Sequence, residues 1–313
     1  MLKNNREVNS LDNSRGNQVK AYGNLFIAII IWALLPLVSK TAMNTLGPIT
    51  YAFVRGVTGL AVILPFAVKA GFNLKKAFTK RAFFYGMIAF LFNTVVFQIG
   101  NSMCSANVTS ITQATMPIFF LIGGVLFMSE KLTFWKGLGA VLATAGIFVT
   151  CLGGTLIDEN TSVLGILIAT MAPFTWTIYS IFLKKKDPDT DSTEIVAYVL
   201  FNGCLLTLPF VIGECALVTG LPTVDMTTIL TIAFGGPLAL GLANFSWSYG
   251  VAHIDASISG LLYNTGPILG VIAAVIAGEI ISGLQVVGCI VVLIGIIAGV
   301  KDEEFFRRKK TNN

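Results

Sequence analysis

Charge is what this chain has least of. Lysine, arginine, aspartate and glutamate together make up 12% of its 313 residues, about half of the roughly 25% found in ordinary globular domains. With 55% of the residues hydrophobic, a water-soluble fold would have no polar coat to keep it dispersed, so lipid must be the solvent for most of the surface. Histidine is reduced to one residue, His253. That excludes a histidine-built metal centre and any Ser–His–Asp set not centred there, and His253, beside Asp255 in a short loop, reads as solvated. Five cysteines (Cys104, Cys151, Cys204, Cys215 and Cys289) are scattered and form no CxxC pair, which argues against a disulfide framework or zinc site. They read as small apolar core residues. No G-x-x-x-x-G-K-[ST] phosphate loop occurs, so ATP is not hydrolysed by that route. No metal or other cofactor is implied.

What is present is a series of long apolar segments. A transmembrane helix needs about 20 mainly apolar residues in a row, and segments near 22–44, 48–68, 82–102, 107–129, 135–153, 163–183, 194–213, 227–250, 256–278 and 284–300 qualify. The fold class expected is therefore all-α and integral to a membrane, with ten transmembrane helices and the lipid bilayer as an obligatory partner. Basic loops stay cytoplasmic. With the N-terminus inside, 19 of the 21 lysines and arginines fall on one side, and only Lys40 and Arg55 do not. Both termini are expected in the cytoplasm, in a plasma or inner membrane. The net charge of +5 thus serves topology and calls for no nucleic-acid partner.

The two halves repeat. Trp32, Lys40, Gly59, Pro65 and Phe66 recur 144 positions later as Trp176, Lys184, Gly203, Pro209 and Phe210. Gly100, Ala106 and Pro117 recur 150 later as Gly250, Ala256 and Pro267, and Glu130, Gly139 and Gly146 recur 149 later as Glu279, Gly288 and Gly295. Five helices per half is an odd number, so the second half enters the membrane upside down. Inverted repeats are the architecture of alternating-access carriers, with the site between the halves near the midplane. The expected division is a polar tail 1–21, a first repeat 22–156, a second repeat 157–300 and a basic tail 301–313.

Polar groups inside the apolar spans mark candidate substrate contacts. Arg55, early in the second span, costs roughly 2.5–3.5 kcal/mol there on insertion scales, and its guanidinium can fork onto a carboxylate or phosphate. It can equally be an anchor bound to backbone carbonyls. Pro117 and Pro267 interrupt corresponding helices and free carbonyls, tolerable only facing protein or a wet cavity, so both are candidate hinges. Near them Thr112, Gln113, Tyr263 and Asn264 form a polar face shared by both repeats, with Gln113 expected in the outer half and Tyr263 in the inner half. Asn93 and Gln98 in the third span and Asn244 in the eighth are polar groups that lipid would penalise. Trp32 and Trp176 fall near mid-span, where interfacial-belt residues should not. With Phe97, Tyr179 and Trp247 they could wall a cavity. Glu130 and Glu279 end matching helices and read as ties between a loop and the following helix, or as gating groups. No Asp or Glu stands at mid-span, where a carboxylate proton relay is expected.

These residues resemble the EamA-type carriers of the drug/metabolite transporter superfamily. The likeness lies in the opening of each half (Gly23…Trp32, Gly165…Trp176), in Arg55, and in Ala106…Pro117…Glu130 with Ala256…Pro267…Glu279. The second half departs from it, with Val199 at the counterpart of Arg55. The resemblance implies a ten-helix basket with helices five and ten outside, where a homodimer contact could form. It also implies secondary transport of a small molecule, without an enzyme activity, and leaves the substrate open; the reading taken here is export or exchange of small amino-acid-like or other polar metabolites by alternating access. A membrane enzyme acting on lipid-linked substrates would need an acid/base constellation near an interface, and none is visible. A non-transporting scaffold or receptor would not need paired prolines with polar neighbours.

Overall fold

The structure is a computed structural model that describes residues 17–35, 46–104, 112–113, 115–152, 162–185, 190–219, 225–276 and 282–311. These residues are helical almost throughout and include no strand. The helices are α1 (Asn17–Leu35), α2 (Pro48–Ala70), α3 (Lys80–Ser102), α4 (Met116–Met128), α5 (Phe134–Leu152), α6 (Val163–Lys184), α7 (Ser192–Thr219) and α8 (Met226–His253). A two-part α9 follows (Ala256–Tyr263 and Thr265–Ile276), then α10 (Gly283–Thr311). Among the described residues eight helices are long and apolar enough to cross a membrane, and α4 is a shorter apolar helix. Their outer faces carry exposed Leu126, Phe127, Leu167, Phe210, Ile212 and Ile294, as a lipid-solvated surface requires. The protein is thus a multi-pass membrane protein.

Local chemistry sets the helix ends. Asp191 and Asp225 cap α7 and α8 by accepting the amides of Thr193 and Thr228, both at 2.7 Å. The bonds from Thr228 hold the Asp225 carboxyl below its ordinary range. Gly47, ahead of α2, has no side chain with which to cap. The carboxylate of Glu214 in α7 fills that role, accepting the amides of Ile49 (3.2 Å) and Thr50 (2.7 Å). Gly71 closes α2 at φ 116°, a left-handed conformation that only glycine adopts freely.

The interior is built on small residues. A Cβ added at Gly139 would lie 2.7 Å from the Gly295 carbonyl, and one at Gly146 2.6 Å from the Val292 amide. Glycine therefore lets the backbones of α5 and α10 touch. The other main pairings are α2 with α7 and α8, α3 with α6 and α7, and α4 with α9. Exchanging each helix for the one five places on turns α2–α8 into α7–α3, and leaves α2–α7, α4–α9 and α5–α10 unchanged.

Two features were not expected from the sequence. Wide π-helical turns occupy Met87–Val95 inside α3 and Phe234–Leu242 inside α8. The second contains Pro237, whose missing N–H helps shift the hydrogen-bond register. Neither proline of the candidate hinges lies within an unbroken helix. Pro117 occupies the first turn of α4, and Pro267 follows the break in α9 at Asn264. In a first turn a missing amide is least felt, because those amides have no intrahelical partner.

Candidate functional site

An aromatic cluster lies where the two halves meet. Trp32 (α1) and Trp176 (α6) pack edge to face, with centroids 5.4 Å apart and planes at 83°. Trp247 (α8) lies 5.5 Å from Trp32 and 6.0 Å from Trp176, and Tyr263 (α9) lies 6.0 Å from Trp32. Tyr179 extends the cluster from Trp176 at 5.2 Å and leads to Tyr85 of α3 at 6.0 Å. Phe120 of α4 meets Trp247 at 90° and enters because Gly260 opposite it has no side chain; a Cβ there would sit 2.5 Å from Phe120. Six helices thus contribute rings, and a charge reaches them at the Tyr85 edge, where Arg81 Nε donates to the Tyr85 hydroxyl at 3.1 Å.

The polar edges of these rings are unequally satisfied. The π-helical stretch of α8 presents two carbonyls sideways: Ala239 accepts from Trp32 Nε1 at 3.0 Å and Gly235 from Arg55 Nε at 3.1 Å. Trp247 Nε1 donates to Ser180 Oγ at 3.1 Å, and Tyr179 pairs with Ser248 at 3.3 Å. Among the described residues the buried indole N–H of Trp176 has no acceptor, and Gln98 Oε1 and Ser246 Oγ are likewise unpartnered. An unmet buried polar group costs about 1–3 kcal/mol, so such a donor suits a place that a ligand or water visits.

The sequence candidates separate into two groups. Trp32, Trp176 and Tyr263 come together in the cluster, with Asn264 buried at the break in α9. Thr112 is buried and Gln113 half-buried ahead of α4. Of the others, Gln98 is buried with its Oε1 unpartnered among the described residues, while Asn93, Asn244 and Arg55 tie helices to one another or to themselves. Asn93 Nδ2 donates across to the Ala172 carbonyl of α6 at 2.8 Å, and Asn244 Nδ2 to Leu240 one turn back at 3.0 Å. Arg55 is 2% exposed, bonded to Gly235 and placed 5.1 Å over the ring of Tyr51. Lys40, Ala106 and Glu279 lie outside the described residues, and Phe97 is not part of the cluster. Phe120 and Tyr85 were not foreseen: neither has an aromatic counterpart in the other repeat that would have marked it.

A second constellation lies at one end of the helices. Glu130, just past α4, accepts the amides of Ala256 (2.7 Å) and Ser257 (3.3 Å) at the start of α9. Lys184 at the end of α6 is 3.5 Å from Glu130 and 3.6 Å from Asp255, and Lys136 in α5 is 3.2 Å from Asp255 and 3.9 Å from Glu130. Glu130 was expected to tie its loop to the following helix; it reaches that helix through Lys136, but bonds mainly to the opposite half. His253, exposed, stacks on Tyr249 at 4.6 Å. Among the described residues no group of His, Cys, Asp or Glu could hold a metal ion, and all five cysteines are free.

A basket of apolar helices around an aromatic centre is the form of a membrane carrier, and the comparisons with known proteins agree. The EamA-like transporter family matches residues 19–152 and again 163–299, so this chain belongs to that family: it is a transporter, not an enzyme. It is 24% identical over 289 residues to a "Probable amino-acid metabolite efflux pump" of Salmonella typhimurium, covering 88% of this chain and 92% of that one. A protein of the same description from Escherichia coli is 23% identical, with the same coverage. A "Probable terminal-alkyne amino-acid exporter" of Streptantibioticus cattleyicolor is 25% identical, over 65% of this chain and 67% of that one. A crystal structure of a 20% identical protein superposes with a TM-score of 0.75, covering 90% of this chain and 97% of that chain, and shares the fold.

Proposed function

We propose that this protein exports or exchanges small amino-acid-like metabolites across a cell membrane by alternating access, without ATP. On this reading the chain is two inverted five-helix repeats, 22–156 and 157–300, with both termini cytoplasmic. The substrate passes between α4 and α9, and Pro117 and Pro267 act as hinges. Trp32, Trp176, Tyr263, Asn264, Thr112, Gln113 and Gln98 form its wall, and Asn93 and Asn244 support the helices around it. The observation that carries the reading is the meeting of Trp32 and Trp176, counterparts in the two halves, beside an indole N–H left without a partner. Helix pairings that exchange between halves support the repeat, and the names of the relatives support the substrate class. The lipid-side faces of α5 and α10 are where a homodimer would form.

The test begins with thermal-shift screening of purified protein against amino acids and their derivatives, since a ligand stabilises by RT ln(1 + [L]/Kd). Ligands that raise the melting temperature should then show counterflow in proteoliposomes without ATP. Stabilisation by none of them, or stabilisation without counterflow, would remove the proposal.

A further inference from the structure

We infer that Glu130, Lys136, Lys184 and Asp255 form a gate that holds one end of the transport path shut in this conformation. The inference rests on the transport reading above and adds a site that it does not contain. Both partners of each half take part. Glu130 and Lys136 belong to the first half, Lys184 and Asp255 to the second, and two of the four ion pairs, Lys136–Asp255 and Lys184–Glu130, cross between halves. Lys184 Nζ also donates to the Ile254 carbonyl at 2.8 Å, and Glu130 holds the first amides of α9. The ends of α4, α5, α6 and α8 and the start of α9 are thereby fastened together. Of these, α4, α6, α8 and α9 carry the rings of Phe120, Trp176, Trp247 and Tyr263.

Burial makes this network a two-state device. The side chains of Glu130, Lys136 and Lys184 are 6%, 7% and 18% exposed, while Asp255 is 39% exposed and is the network's contact with water. Buried ion pairs add little net stability when made, because desolvation offsets their attraction, but a buried charge that loses its partner is strongly unfavourable. Partial opening would strand such charges. The low-energy arrangements are all four paired in a dry closure, or all four separated into water that enters as the helix ends part. That is the bistability a carrier needs at each end of its path. Backbone geometry fixes the closed arrangement. Ser129 adopts φ 55° after α4 and turns the chain back, so that the Glu130 amide donates to the Gly124 carbonyl at 3.0 Å. In sequence, the repeat offsets set Glu279, Gln285, Lys40 and Ser105 against Glu130, Lys136, Lys184 and Asp255. Only the Glu–Lys pair is repeated.

The test needs no substrate. In a background free of native cysteines, Ser180→Cys places a thiol at a fully buried position one turn before Lys184, and its reaction with an impermeant maleimide reports opening at that end. Lys184→Gln and Lys136→Gln should each speed labelling at least about tenfold, as a shift of ~1.4 kcal/mol in the closed–open balance would. Lys184→Arg should keep labelling slow. Unchanged labelling in both glutamine variants, with cooperative melting intact, would overturn the gate and leave the network as a fastening of helix ends. If the glutamine variants do not melt cooperatively, Asp255→Asn decides: faster labelling supports the gate, and unchanged labelling overturns it. Because this signal is independent of substrate, failed counterflow with responsive labelling would count against the transport reading alone.

Discussion

Trp32 and Trp176 stand 144 positions apart and meet edge to face, ring centroids 5.4 Å apart, at the junction of the two halves. Their indole nitrogens differ: Trp32 Nε1 is bonded to the Ala239 carbonyl, whereas Trp176 Nε1 has no acceptor among the described residues. The same residue type at corresponding positions thus holds the scaffold in one half and offers a free donor in the other.

Phenylalanine substitution separates these roles, because it keeps a ring and removes the N–H. Trp176→Phe removes packed volume as Trp32→Phe does but strands no partner, so it should cost less stability than Trp32→Phe. It should lower counterflow by up to about tenfold if the substrate accepts that hydrogen bond. Trp32→Phe should instead lower stability by about 1–3 kcal/mol by stranding the Ala239 carbonyl. Melting curves and counterflow of both variants check the pair, and equal losses of stability would contradict it.

Arg55 allows a similar separation. Lysine keeps the charge but has no Nε in place to reach Gly235, so Arg55→Lys should lose roughly 1.5–3 kcal/mol, the worth of a charged hydrogen bond. A variant of unchanged melting temperature with abolished transport would move Arg55 from anchor to substrate contact.

Helix location and repetition were legible because both are written locally: apolar runs of spanning length, and Trp, Gly, Pro and Glu returning at nearly constant offsets. The offsets alone pointed to Trp32 and Trp176 as a related pair. The partners of Arg55 and Trp32 were not legible, since both are backbone carbonyls exposed by a π-helical turn, and nothing around Gly235 and Ala239 announces one beyond Pro237. The charged constellation was hidden for another reason. Glu130, Lys136, Lys184 and Asp255 each look like an ordinary charge at a helix end, and only the fold brings them together.

The contact of α5 with α10 predicts a sharp contrast between two glycines of one helix. Gly146→Leu must drive side-chain atoms into Val292 and Gly288, whereas Gly137 has nothing within 4 Å of a added Cβ. Overpacking costs about 1–3 kcal/mol, so Gly146→Leu should melt measurably lower and Gly137→Leu should not. Thermal unfolding of the two purified variants decides it.

Topology can be read with single cysteines in a background free of native ones. Positions 79 and 185 should label with an impermeant reagent only from the cytoplasm, and positions 162 and 225 only from outside. All four labelling from the same face would sink the inverted repeat.

The most direct test of the whole account is counterflow in proteoliposomes loaded with an unlabelled amino acid or derivative that stabilises the purified protein. The account predicts transient accumulation of labelled substrate without ATP, reduced in Trp176→Phe and absent from protein-free vesicles. Stabilising ligands that never accumulate, or accumulate only when ATP is supplied, would contradict it.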